Sequence, residues 1–173
     1  HVAIRQFVFK RSSNFIAATN SGVDLFVRQY GVSPSLVYRS PLIINSSIDW
    51  SGSQKVTRDI DIIFSGRMTD VKNPKFAIQV AQQVAYRLGR RVSMVMLGDG
   101  SLLDDMRSIA KSIAPDVSID FTGNVAQRDI PNYFYRSKVF LFPTLWDPWG
   151  VVVNEAFTAG VPVISTDHAG AAN

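Results

Sequence analysis

The stretch FPTLWDPWGVVVNEAFTAGVPVI, residues 142–164, reads as the end of a strand, a loop, a helix and a second strand. Residues 139–142 are an apolar run of strand type, and Pro143 and Pro148 hold the loop extended. Gly150 opens a helical segment that Gly160 and Pro162 close. Two carboxylates bracket the helix start. Asp147 lies on the loop before the first turn, and Glu155 lies about two turns along with apolar residues on either side. Glu155 is the only glutamate in a chain rich in aspartate. A carboxylate among buried neighbours is costly unless something satisfies it, so a hydroxyl-rich ligand or a nearby donor is expected there.

Working outward, the same alternation repeats from Asp59 onward. A strand is expected over 60–64 and a helix over 73–88, with Phe76, Val80, Val84 and Leu88 on its inner face. A buried strand follows over 92–97. The next helix, over 101–113, turns Leu102, Leu103, Met106, Ile109 and Ile113 inward and carries Asp104 and Asp105 near its positive end. A strand over 117–121 and a short helix over 129–136, with Pro131 in its first turn, lead into the strand from Val139. The strand over 161–165 is the last. Strands alternating with helices predict a parallel sheet covered on both faces, the doubly wound, Rossmann-like α/β class.

Ahead of Asp59 the reading is helix, strand, helix. Residues 1–11 place Ile4, Phe7 and Val8 on one helical face, 14–19 is a short apolar run, Asn20-Ser21 is the expected helix cap, and Gly31 ends an amphipathic turn over 22–30. A further strand is expected over 37–44, with Pro41 breaking it or marking an edge. The domain reading takes 1–45 as the end of a preceding domain or a crossover segment, 46–58 as a linker, and 59–173 as the doubly wound domain. The chain is expected to be truncated at both ends. Asn45-Ser46-Ser47 spells a glycosylation sequon, as chance readily does.

Composition narrows the class. No apolar run reaches the length of a membrane span, and the first residues lack the pattern of a signal peptide. Without cysteine there are no disulfides, thiolate ligands or cysteine nucleophiles, which fits a reducing, cytoplasmic compartment. The net charge of +4 is concentrated early, with seven basic against two acidic residues up to Arg58. Arg5, Lys10 and Arg11 beside Ile4, Phe7, Val8 and Phe9 suit an anionic membrane surface, nucleic acid or a solvated helix face, and the solvated face is preferred. No nucleic-acid-binding motif is present, so no nucleic acid partner is expected.

Ligands of doubly wound sheets bind at the carboxyl ends of strands, and three such ends carry chemistry. In Ser65-Gly66-Arg67-Met68-Thr69-Asp70-Val71-Lys72-Asn73-Pro74, Gly66 permits close backbone approach, and Arg67 and Lys72 place two cations ahead of a helix N-terminus. A diphosphate needs that combination, although an Arg and a Lys on a loop are by themselves ordinary solvated surface. Leu97-Gly98-Asp99-Gly100 lacks the third glycine of a dinucleotide fingerprint, which rejects NAD or FAD, and a tight turn is preferred. The third end is the opening stretch, where Asp147 reads either as a ligand contact or as a cap to a backbone amide. Glu155 reads either as a ligand contact or as half of a buried ion pair. A glycosidase also uses two carboxylates, but these share one strand-helix unit beside a basic loop. His1 and His168 have no partner spacing for a triad or a metal.

The opening stretch resembles the signature of retaining, nucleotide-sugar-dependent glycosyltransferases of family 4, which have the two-domain GT-B architecture. Their pattern is two acids separated by seven residues, an aromatic-glycine pair after the first and an alanine after the second, matched here by Asp147, Trp149-Gly150, Glu155 and Ala156. The first acid is usually glutamate in that family, and Asp147 is one methylene shorter. A glycine-arginine pair with a lysine five residues after the arginine binds the donor diphosphate there, and Gly66, Arg67 and Lys72 have that spacing. The family reads the nucleobase, largely through backbone groups, where Asn124 and Val125 stand.

The resemblance implies that amides around Trp149, Gly150 and Val151 face the diphosphate and donor sugar, that Asp147 contacts sugar hydroxyls, and that Glu155 holds the ribose hydroxyls. It also implies sugar transfer with retention from a nucleoside diphosphate sugar to an acceptor hydroxyl. Arg67, Lys72 and the helix amides would stabilise the departing diphosphate, without a metal or other cofactor. Polysaccharide or glycolipid biosynthesis is the expected setting, with contact at the membrane periphery and a lipid-linked acceptor compatible with the basic, aromatic first residues. The missing amino-terminal domain would bind the acceptor, so this piece alone would bind nucleotide weakly and transfer nothing. A nucleotide-sugar epimerase of the same architecture, or a non-catalytic binding module, is the alternative.

Overall fold

Phe15–Ala17 (β1) and Val37–Arg39 (β2) pair in parallel, with Phe15 opposite Val37. The computed structural model describes residues 9, 11–40, 56–113 and 115–170, and the chain divides into two units, His1–Ile43 and Ile44–Ala172. In the first unit β1 alternates as a half-buried strand should, with Phe15 and Ala17 buried and Ile16 exposed. Helix α1 (Asn20–Asp24) continues as a wider π turn over Leu25–Gln29 and ends at Gly31, whose φ is +66°. Its cap is Thr19, whose Oγ1 accepts from the Gly22 amide at 3.0 Å, and not the expected Asn20-Ser21. Asn20 is engaged elsewhere, accepting from Arg39 at 2.8 Å. Phe9, Phe15, Phe26 and Tyr30 pack as an aromatic cluster. The expected helix over 1–11 and the strand beyond Ser40, with Pro41, lie essentially outside the described residues, as does most of the 46–58 linker.

The second unit is built on β3 (Ile60–Ser65), whose first five residues are buried, as they can be only in a sheet covered on both faces. Around it stand β4 (Val92–Leu97), β5 (Val117–Gly123), β6 (Ser137–Phe142) and β7 (Val163–Ser165), all parallel, in the order β5-β4-β3-β6-β7. Helices α2 (Pro74–Leu88) and α3 (Leu103–Ser112) pack on Ile62, Phe64, Met94 and Met96. Helices α4 (Ile130–Tyr135) and α5 (Val151–Thr158) pack on Ile63, Val95, Phe140 and Phe142 of the other face. This is the expected doubly wound, Rossmann-like fold.

One helix face differs from expectation. The core side of α2 is Pro74, Ala77, Ile78, Ala81 and Ala85, while Phe76 and Leu88 are exposed. Alanines four residues apart let the helix lie close on the sheet, and the larger Val80 and Val84 fill its margin.

The strand order also locates the site. From β3 the chain moves outward to β4 and β5, then crosses back to β6 on the other side of β3 and on to β7. The order reverses between β3 and β6, and a ligand crevice opens at the carboxyl ends of such a pair.

Candidate functional site

Two loops leave that point. The one after β3, residues 66–73, is moulded on the turn after β4: the Gly66 amide donates to the Leu97 carbonyl at 3.0 Å, Met68 to Asp99 at 2.9 Å, and Leu102 to Met68 at 2.9 Å. Met68 is fully buried and anchors the loop in the core. A 3-10 turn, Asp70–Lys72, then leads through Asn73, held left-handed at φ 53°, to Pro74 at the start of α2. With its middle pinned, the loop leaves the Arg67 side chain exposed, without a hydrogen bond or ion pair among the described residues, while Lys72 is largely covered.

The loop after β6 docks on the first. Leu145 donates its amide to the Val71 carbonyl at 2.7 Å, and the buried Thr144 hydroxyl lies 3.1 Å from the same oxygen and 3.0 Å from the Trp146 carbonyl. Beyond β7, the Thr166 hydroxyl donates to the Thr144 carbonyl, and Asp147 pairs through its backbone with His168 and Gly170. The loops at the ends of β3, β6 and β7 are therefore one fabric.

That docking brings Lys72 and Asp147 together. Nζ lies 2.5 Å from Oδ2, and Oδ1 accepts from the Trp149 amide at 3.0 Å. Burial alone would raise the Asp147 pKa, but the Lys72 ammonium and the amides of Trp149 and Gly150 outweigh it and hold the carboxyl below its ordinary value. The amide-cap reading of Asp147 is thus realised, together with an ion pair that sequence reasoning missed. Nothing in the spacing of positions 72 and 147 announces the pairing.

Gly150 caps α5 at φ 84°, and a Cβ on it would lie 2.8 Å from the Phe142 ring. Glycine here lets the helix start close against β6, with its first amides at the carboxyl end of that strand. The Trp149 indole Nε1 is buried with no hydrogen-bond partner among the described residues. Glu155 is buried between Val153 and Ala156, and burial pushes its carboxyl pKa up. No ion pair reaches it among the described residues, so the structure does not supply the buried arginine of that alternative.

Asn124 and Val125 follow β5 on a neighbouring loop. They line a polar cavity of about 500 Å³ with Thr122, Asp129, Asn132 and Tyr133, and no hydrogen bond among the described residues ties them to Lys72 or Asp147. Gly98 and Gly100 form the expected tight turn, and their more specific role is to let the loop of Arg67 and Lys72 approach. Among the described residues no cluster of His, Cys, Asp or Glu could hold a metal ion, and no helix is long and apolar enough to cross a membrane. Asp59-Ile60-Asp61 lies at the opposite, amino end of the sheet, with Asp59 bound by Arg136 and Asp61 by Arg90 and Lys138.

Comparison with known proteins agrees with the fold. The chain is 24% identical over 172 residues to 2-deoxystreptamine N-acetyl-D-glucosaminyltransferase of Niallia circulans, covering 95% of this chain and 44% of that protein. It is 19% identical to mannosylfructose-phosphate synthase of Agrobacterium fabrum, covering 94% of this chain and 39% of that one. The chain spans less than half the length of these curated relatives. In fold it matches the pneumococcal O-GlcNAc transferase GtfA, solved with UDP and GlcNAc, at a TM-score of 0.73 and 16% identity over 95% of this chain and 32% of that one. It also matches Anabaena HepE, solved with UDP and glucose, at 0.69 and 19% identity over 93% and 46%. The family profile of the glycosyl transferases group 1 matches residues 49–173, most of the chain, and the protein belongs to that family.

Proposed function

We propose that this chain is the donor-binding part of a retaining glycosyltransferase of family 4, which moves a sugar from a nucleoside diphosphate sugar to an acceptor hydroxyl. One observation carries the reading. At the reversal of strand order, the loop of Arg67 and Lys72 is hydrogen-bonded to the loop that leads into α5, so an exposed arginine, a lysine with donors to spare beside Asp147 and a helix start without a side-chain cap share one end of the sheet. Gly66 and Gly150 keep that end open to backbone approach. Arg67, Lys72 and the first amides of α5, from Val151 onward, bind the diphosphate and stabilise it as it departs, while the Trp149 and Gly150 amides hold Asp147. Glu155, buried with no cation beside it, takes vicinal ribose hydroxyls as a bidentate acceptor. Asn124 and Val125 present the backbone that reads the base. Side chains neutralise the leaving group, so no metal takes part.

In this reading residues 59–173 are the donor domain, joined through 46–58 to an acceptor-binding domain of which 1–45 is the end. The enzyme works in the cytoplasm and reaches acceptors at the membrane periphery. One relative's name as an N-acetyl-D-glucosaminyltransferase and another's as mannosylfructose-phosphate synthase support sugar transfer as the reaction class.

Titration calorimetry of the full-length protein with UDP, GDP and ADP tests the donor site. Binding of one nucleotide, lost in Arg67→Ala and in Glu155→Ala, is the expected result, and binding unaffected by both substitutions overturns it. NMR of the product then tests the reaction: an anomeric configuration matching the donor supports retention, and a free epimerised sugar points to the epimerase.

A further inference from the structure

Asp147 is held through both its side chain and its backbone. Its Oδ2 accepts from Lys72 at 2.5 Å and its Oδ1 from the Trp149 amide at 3.0 Å, while its own amide donates to the His168 carbonyl at 3.2 Å and its carbonyl accepts from the Gly170 amide at 2.9 Å. Both side chains of the ion pair are mostly covered, at 16% exposure for Lys72 and 17% for Asp147. A carboxylate so occupied is fixed in orientation. Lys72 has donors to spare, because an ammonium has three donors and Asp147 takes one. Lysine loses much rotamer freedom when it is fixed. Here the fixing is already done, by Asp147 and by the Phe142 ring, whose centroid lies 5.7 Å from Nζ.

We propose that Asp147 is a positioning residue that aims the Lys72 ammonium at the donor diphosphate. The inference rests on the donor-site reading above. It also gives the aspartate a reason. Its short side chain reaches the amide two residues on, a local bond typical of aspartate, and a carboxylate one methylene further out would overshoot that amide while still reaching Lys72.

Charge and positioning predict opposite signs for Asp147→Asn. Removing a carboxylate from beside a diphosphate strengthens binding if charge alone matters, and weakens it if Lys72 loses its aim. The test is titration of the full-length protein with the nucleoside diphosphate and with its sugar conjugate, alongside melting temperatures for every variant.

Asp147→Asn is expected to weaken both ligands by the same factor, about five- to tenfold. The loss should vanish in a Lys72→Ala background, and Asp147→Glu should recover part of it. Three results overturn the role. One is unchanged or tighter nucleoside diphosphate binding by Asp147→Asn. Another is a loss confined to the sugar conjugate, which marks a sugar contact. The third is an equal loss in the Lys72→Ala background, which marks general damage to the fold. If the unsubstituted protein binds no nucleotide, the donor-site reading fails and this role fails with it. Binding that is lost in Arg67→Ala keeps that reading standing whatever the Asp147 variants do.

Discussion

A Cβ placed on Gly98 would lie 2.1 Å from the carbonyl oxygen of Gly66. Gly98 also has a φ of +120°, a conformation that side chains rarely adopt. Gly98→Ala should therefore cost roughly 2–4 kcal/mol, adding left-handed strain to a backbone clash that no side-chain rotation relieves. The displaced backbone is the start of the loop that bears Arg67 and Lys72, so nucleotide affinity should fall with stability. Gly89→Ala is the control: its φ is +61°, nothing lies within 4 Å, and about 1 kcal/mol is expected. Urea denaturation of both variants checks the contrast, and equal costs would contradict it.

At the other end of the sheet, Asp61 is buried and bound by Arg90 at 2.8 and 2.9 Å, Lys138 at 2.8 Å and the Ser93 amide at 3.0 Å. Hydrogen bonding from Arg90, working against burial and with help from Lys138 and Ser93, holds its carboxyl well below the ordinary carboxylate range. A depressed carboxyl contributes stability above its unfolded pKa and loses it as pH falls through the folded value. Asp61→Asn should thus destabilise the protein at neutral pH and bring the two stabilities together in strong acid. The loss should be roughly 1–3 kcal/mol, below that of a fully buried pair because Arg90 and Lys138 are half exposed. Nucleotide affinity should not change, since the network lies opposite the crevice. A pH series of melting curves with one titration decides both points.

Among the described residues the central strands were legible because β3, β4 and β6 are short apolar runs between turn residues, and the basic loop and the two acids were legible by residue type and spacing. What the sequence concealed depends on contacts between distant segments. The inner face of α2 was misread because large apolar residues dominate a periodicity count, whereas closeness to the sheet selects the alanines at 77, 81 and 85. The alanine stripe was the available signal. Asp61 gave none, because Arg90, Ser93 and Lys138 reach it only through strand pairing. Lys72 and Asp147 likewise meet because β6 lies beside β3.

Glu155 supplies a second pH dependence, of opposite sign. Burial raises its carboxyl pKa above the ordinary 4.5. A raised carboxyl contributes most below its unfolded pKa, and that contribution is lost as pH rises through the folded value. Ligand-free protein should therefore lose stability from this group as pH climbs past about 4.5, and Glu155→Gln should flatten that part of the profile and raise the melting temperature at pH 7. The same substitution should weaken nucleotide binding, because an amide offers one acceptor oxygen where the carboxylate offers two. A variant that gains stability and loses affinity would mark a residue kept for its ligand. Loss of both would return Glu155 to a structural role.

Arg67 gives the sharpest separation of binding from folding. Its side chain is exposed and makes no hydrogen bond or ion pair among the described residues, so the folded state gains little from it. Arg67→Ala should shift stability by no more than about 0.5 kcal/mol, the range of ordinary surface substitutions. A charge-assisted contact to phosphate is worth much more, so nucleoside diphosphate affinity should fall about tenfold or further. Arg67→Lys should lie between, keeping the charge but losing the planar fork that grips two oxygens at once. Because the contact is partly screened, added salt should weaken the unsubstituted protein more steeply than Arg67→Ala. Arg87→Ala, in the last turn of α2 and away from the crevice, should change neither affinity nor its salt dependence. If Arg67→Ala and Arg87→Ala titrate alike, the cation on the β3 loop is surface charge and the diphosphate is held elsewhere.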